Sequence, residues 1–154
     1  MKKHFQFLFP ALLVLALASC KKDNSNNCDP QGDCFSAKID GAQFNSDNVT
    51  GTAIFGAVNI GATFGTTTVQ AFQVALSNTA TGTYDLSTPT DAIVDYYPSA
   101  LNGEVYSSSS GSLTIDSHDI AAKKIKGTFS FEGTNPASGA TISVTAGMFE
   151  LTYQ

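Results

Sequence analysis

Ile125-Lys126-Gly127-Thr128-Phe129-Ser130-Phe131-Glu132 alternates apolar or small residues with polar ones without a break. A period of two sends Ile125, Gly127, Phe129 and Phe131 to one face and Lys126, Thr128, Ser130 and Glu132 to the other, the pattern of a strand with one face in a core and one in water. Toward the C-terminus, Ile142 and Val144 occupy even positions, whereas Phe149, Leu151 and Tyr153 occupy odd ones. A continuous strand would turn its apolar set outward halfway along, and one extra residue restores the phase. Ala146-Gly147 is where a glycine-assisted bulge fits.

Upstream, Leu113 and Ile115 mark the preceding strand, which the polar run Asp116-Ser117-His118-Asp119 reads as ending in a turn. Asn102-Gly103 is a hairpin signal leading into an extended piece at 104–108. Ile93, Val94, Tyr96 and Tyr97 are apolar but aperiodic before Pro98, and Tyr84 and Leu86 follow a turn at 78–82. Phe72, Val74 and Leu76 share one face of a segment beginning near Thr68. Residues 52–60 read as one more continuous apolar strand with Gly56 in its middle. Phe35, Ala37 and Ile39 alternate up to an Asp40-Gly41 turn, after which Phe44 resumes. No window holds helical periodicity over three turns. The expectation is an all-β fold: a single antiparallel β-sandwich or barrel-like domain of about eight strands over residues 34–154.

Ahead of the domain, Lys2 and Lys3, the apolar run 5–17, and the small residues Ala18 and Ser19 form the three parts of a secretory signal in order. A spanning helix needs about 20 apolar residues; this run is shorter, contains Pro10 and stops against Cys20-Lys21-Lys22-Asp23. Leu17-Ala18-Ser19-Cys20 resembles the lipobox of bacterial lipoproteins. The resemblance implies a diacylglycerol on the Cys20 sulfur, cleavage before Cys20 and acylation of the new amine. An ordinary cleaved signal beside a chance cysteine is the rival, disfavoured because the small residues, the cysteine and the polar turn fall in register. Each buried methylene contributes about 0.8 kcal/mol, so two or three acyl chains hold a protein stably on a bilayer. The chain thus divides into a signal peptide (1–19), a lipidated flexible tether (20–33) and the β domain, with an address in the cell envelope at the outer membrane, on its periplasmic face or the cell surface.

Cys28 and Cys34 remain, separated by the turn-rich Asp29-Pro30-Gln31-Gly32-Asp33. In an oxidising compartment this spacing reads as a disulfide, contributing about 2 kcal/mol through loop closure. Metal binding is the alternative, but two cysteines fall short of the four ligands of a structural zinc site. From Cys20 onward there are six Lys, no Arg and thirteen acids, a formal charge of −7. Such a chain does not bind nucleic acid by phosphate neutralisation, and without Arg it lacks the bidentate clamp for phosphate and carboxylate ligands.

Chemistry-bearing constellations are sparse. Ser117, His118 and Asp119 hold the residue types of a hydrolase triad, but adjacent residues seldom point at one another, and His118 reads as a turn residue. Asp23, Asp29 and Asp33, or Asp91 and Asp95, lack the pattern of a calcium loop. Glu104, Glu132 and Glu150 fall on expected strands with nothing to pair two of them. No catalytic residue, metal site or cofactor is assigned. Tyr96 and Tyr97 beside Pro98, with Tyr106 nearby, are the candidate ligand-binding residues, able to present rings to a glycan, peptide or protein. The competing reading has one of these tyrosines closing the end of the core.

Cys20-Lys21-Lys22-Asp23, Phe35-Ser-Ala-Lys-Ile-Asp-Gly41, Gly82-Thr-Tyr-Asp-Leu86, Gly111-Ser-Leu-Thr-Ile115, Lys126-Gly-Thr-Phe-Ser-Phe131 and Gly147-Met-Phe149 are spread over nearly the whole chain after the signal. Together they resemble a group of small, mostly uncharacterised envelope lipoproteins of Bacteroidota-type bacteria. That resemblance implies a β-rich envelope domain and carries no catalytic residues with it. Three function classes follow: a membrane-anchored binding or accessory module, placed first; a structural or interaction lipoprotein without a small ligand; and a hydrolase, placed well behind.

Overall fold

The alternation at 125–132 belongs to one of ten strands. In the computed structural model, which describes residues 32–46 and 48–154, these are β1 (Cys34–Ile39), β2 (Ala42–Ser46), β3 (Asn48–Ile54), β4 (Ala57–Phe64), β5 (Gln70–Leu76), β6 (Gly82–Asp85), β7 (Ala92–Tyr97), β8 (Tyr106–Asp119), β9 (Lys124–Thr134) and β10 (Thr141–Thr152). They form one sheet in the order β2-β1-β10-β9-β8-β7-β5-β4-β3, with β6 paired to β8. The pairings are antiparallel throughout.

The two ends of that order, β2 and β3, follow one another in the chain with a single residue between them. One run of chain thus lines both edges of the sheet and draws them together. Ser46 Oγ donates to the Thr63 carbonyl on β4, and the C-terminal tail runs beside β3, with Ala53 N donating to Gln154 O (2.9 Å) and Gln154 N to Gly51 O (3.0 Å). Between the sandwich and barrel expectations, the structure is the nearly closed barrel, which leaves few strand edges unpaired.

Curvature comes from bulges. Register shifts fall twice along β8 and once on β10, where the extra residue between Val144 and Gly147 also shifts the β1 ladder between Ser36 and Lys38. The last is the bulge the apolar phase demands, with Ala146 in the left-handed region (φ 49°). It keeps Ile142 and Val144 buried together with Phe149 and Leu151.

Inward positions fill the barrel. Phe35, Phe44, Phe72 and Phe149 are each 1% exposed. The Phe72 ring centroid lies 5.1 Å from Phe35, 5.0 Å from Phe44, 5.0 Å from Tyr96 and 6.0 Å from Phe129. Rings from five strands meet on Phe72, so it ties the walls together across the interior.

Three expectations need correction. Residues 52–60 are two strands, because Phe55 (φ 52°) and Gly56 (φ 86°) make a two-residue hairpin turn between β3 and β4. Residues 116–119 are the end of β8, which runs unbroken from Tyr106, and the turn comes after them. Glu104 precedes β8 in the loop from β7 instead of lying on a strand. With β7 added, about eight strands become ten.

Antiparallel alternation gives the barrel two rims. One bears Asp33, the C-terminal Gln154, the β3–β4 turn and the β8–β9 turn; the other bears Asp40-Gly41 and the β4–β5 and β9–β10 connections. Asp33 Oδ1 accepts from Thr152 N (2.8 Å), fixing the start of the domain beside the end of β10. Cys34 is disulfide-bonded, and its partner lies outside the described residues. Residues 1–31, which hold the expected signal peptide, Cys20, Cys28 and most of the expected tether, also lie outside them.

Candidate binding groove

Outward positions of β3, β4, β5 and β7 align in rows. Asn48, Thr63, Ala71 and Tyr97 are successive partners in one row; Thr50, Gly61, Gln73 and Asp95 are partners in the next. Gly61 has no side chain and Ala71 a short one, so taller neighbours enclose a groove of about 320 Å³ that also takes in Thr52 and Asn59. Its volume is at the low end of the ~300–1,000 Å³ of small-ligand sites.

The groove is lined by hydroxyls, carboxamides and one phenol ring, together with apolar surface at Ile60, Gly61, Ala62, Ala71 and Phe72. Burial, and behind it the negative charge of Asp95, push the Tyr97 phenol up from its ordinary pKa, so it stays a neutral donor. Asp95 Oδ1 is shielded from water and has no hydrogen-bond partner. Such a group is costly to leave unmade; Asp95 lies beside the groove and is not part of its lining.

The three candidate tyrosines separate. Tyr97 lines the groove, whereas Tyr96, one residue earlier on β7, faces inward at 5% exposure with its ring centroid 6.4 Å from that of Tyr106. Tyr106 Oη donates to Glu104 Oε1 (3.1 Å), which also accepts from Asn135 Nδ2 (3.4 Å), so these groups close one end of the barrel. Burial first, then Asp40, Tyr106 and Glu104, raise the Tyr96 phenol. The core-closing reading therefore describes Tyr96 and Tyr106, and the ligand reading retains Tyr97.

No triad forms around His118. Its Nδ1 lies 2.9 Å from the Thr79 carbonyl oxygen, which only accepts, so Nδ1 carries the proton; in the neutral ring Nε2 takes the Tyr153 hydroxyl proton across 2.7 Å. Asp119 Oδ1 instead accepts from Ala122 N (2.9 Å) in the β8–β9 turn. His118 thus cross-links β8, the loop before β6 and the C-terminal tail.

The three glutamates are committed to different partners. Glu132 Oε1 accepts from Ser143 Oγ (2.8 Å), Glu104 serves Tyr106, and Glu150 lies 2.7 Å from Lys124 Nζ and 3.3 Å from Lys126 Nζ. The hydrogen bond from Lys124 leads in holding the Glu150 carboxyl below its ordinary range, so its contribution to stability is present near neutrality and lost as pH falls through that lowered value. Of the aspartates considered for calcium, Asp23 and Asp29 lie outside the described residues and Asp33 binds Thr152 N. Asp91 precedes β7 while Asp95 lies within it, about 13 Å apart along an extended chain. Among the described residues no cluster of three His, Cys, Asp or Glu is placed to hold a metal.

A second depression, about 350 Å³, lies over the β10 bulge between Ser112, Thr114, Thr128, Ser130 and Met148. It has no exposed ring on its wall, and Thr114 already shares a hydrogen bond with Thr83 (2.9 Å).

The chain belongs to the family described as a domain of unknown function (DUF6252), which matches residues 31–151. No curated protein and no solved structure matches it.

Proposed function

We propose that this DUF6252 member is a lipid-anchored envelope protein whose β barrel binds a neutral, hydroxyl-rich ligand, of which a glycan is the leading example, in the groove beside Tyr97. The observation that carries the reading is that groove: an aromatic wall over a floor of Gly61 and Ala71, ringed by the amide and hydroxyl side chains of Asn48, Asn59, Thr50 and Gln73. Amide groups both donate and accept, as sugar hydroxyls do, and a ring gives the apolar face of a sugar something to lie on. The filled interior supports an outer-face site over a ligand held in the lumen.

The ligand reading has a direct test. Full mature lipoprotein in detergent is screened against neutral oligosaccharides by thermal unfolding; a ligand at about 100 times its Kd adds roughly 2.7 kcal/mol to stability. Tyr97→Ala is expected to weaken binding at least tenfold while leaving the unliganded midpoint nearly unchanged, since the ring stands outside the core. A flat screen, or a Tyr97→Ala protein that binds as before, removes the groove from the account.

Anchoring is tested separately. Cells fed labelled palmitate are expected to incorporate it into the wild-type chain and not into Cys20→Ser. Labelling that persists in the variant defeats the lipid attachment reading.

A further inference from the structure

The chain makes two hairpin turns with the same backbone and contrasting chemistry. Asp40-Gly41 (φ 47° and 83°) has the composition such a turn favours. Phe55-Gly56 (φ 52° and 86°) puts a bulky ring in the same left-handed position. Phe55 is fully exposed (106%), Ile54 beside it is 57% exposed, and Ile120, in the β8–β9 turn on the same rim, is 74% exposed. Phe55 buries nothing within the barrel, and a polar residue at position 55 would suit the turn better.

This rim also receives the rest of the chain. The described domain starts at Gly32 and Asp33, and the Asp33 carboxylate is bonded to the end of β10. From Cys20 to Gly32 is twelve residues, a reach of at most ~40 Å. The Cys34 disulfide joins the rim to a cysteine within residues 1–31, which reduces the freedom of that reach. Three of the four lysines among the described residues, Lys123, Lys124 and Lys126, stand at this rim. Of its acids, Asp33 accepts from Thr152 N, Asp119 from Ala122 N, and Glu150 pairs with Lys124 and Lys126, while Asp116 near the end of β8 is exposed and Asp91 stands just before β7.

Resting on the lipid anchor proposed at Cys20, we infer that this rim is a second, non-covalent membrane contact: Ile54, Phe55 and Ile120 enter the bilayer interface, with the lysines at headgroup level. Two isoleucines and one phenylalanine alone make weak contact with a bilayer. Tethering turns that contact into an intramolecular event at high effective concentration, so a weak affinity suffices. Docking in this way orients the barrel, holding its opposite rim away from the membrane and the groove on its flank open to ligand.

The chain has no Trp, so Phe55→Trp supplies a single indole at an exposed tip. The lipidated protein is reconstituted in vesicles of phosphatidylethanolamine and phosphatidylglycerol. The indole of the Phe55→Trp variant is expected to emit to the blue of its position in detergent-free buffer, to lose several-fold in iodide quenching, and to be quenched by lipids brominated along the acyl chain. A Leu101→Trp reporter on the opposite rim, where Leu101 is 86% exposed, should keep a wet spectrum. Protein that floats with vesicles while the Phe55→Trp indole stays wet overturns the docking and spares the anchor; protein that does not float overturns both. Equal burial of both reporters, or a blue shift of the Phe55→Trp indole that grows with protein concentration in the absence of vesicles, assigns the rim to another contact and also overturns the docking.

Discussion

Phe72→Ala is expected to destabilise the domain by about 3–5 kcal/mol, the range for removing a fully buried aromatic ring. Phe72 is 1% exposed and touches the rings of Phe35, Phe44, Tyr96 and Phe129. These neighbours come from four other strands already fixed by backbone ladders, so they have little freedom to close the void. A domain of this size has about 5–15 kcal/mol in total. The measurement is urea unfolding of the oxidised protein: the midpoint should fall steeply with the slope unchanged. Phe64→Ala is the comparison, because Phe64 is 45% exposed and meets Phe44 only at the rim (5.4 Å). A loss at Phe72 no larger than at Phe64 would mean that the interior is not packed as a core. It would also reopen the lumen as a ligand site, so this stability measurement bears on where the ligand sits.

Sequence periodicity revealed strands wherever only one face was apolar. β9 and the two halves of β10 were legible, including the slip between them, because the barrel leaves one side of each to water. β7 was obscured because its outward residues Ile93 and Tyr97 are apolar beside the inward Ala92, Val94 and Tyr96. The β3–β4 turn was obscured because Phe at its first central position carries no turn signal, and two strands therefore read as one. Asp116-Ser117-His118-Asp119 looked like a loop by composition, although a register shift between Ile115 and Ser117 keeps the chain in β8. Tyr97 could be singled out as an aromatic residue in a Pro-flanked segment. Its groove could not, since Asn48, Thr63, Ala71 and Tyr97 become neighbours only when four strands take their register.

Two glycines test the bulges that set this register, and they should respond differently. Gly111 lies within β8 at φ 115°, and a Cβ there would run into the Ser130 carbonyl oxygen and the Phe131 backbone on β9. Gly111→Ala therefore combines backbone strain of about 1–3 kcal/mol with overpacking of about 1–3 kcal/mol. The obstruction is main chain, so trimming the Phe131 side chain should recover little. At Gly147 the bulge's left-handed residue is Ala146, and glycine serves a different need: the three atoms nearest to an added Cβ all belong to the Phe129 ring. Gly147→Ala should cost about 1–3 kcal/mol through overpacking, and Phe129→Leu should relieve much of that cost by shortening the obstructing side chain. In a double-mutant cycle the Gly147–Phe129 pair is expected to show a favourable coupling above about 1 kcal/mol, while Gly111 with Phe131→Leu stays close to additive. Additivity at Gly147 would mean that the bulge does not press that strand onto Phe129, and the physical account of the phase slip would fail with it.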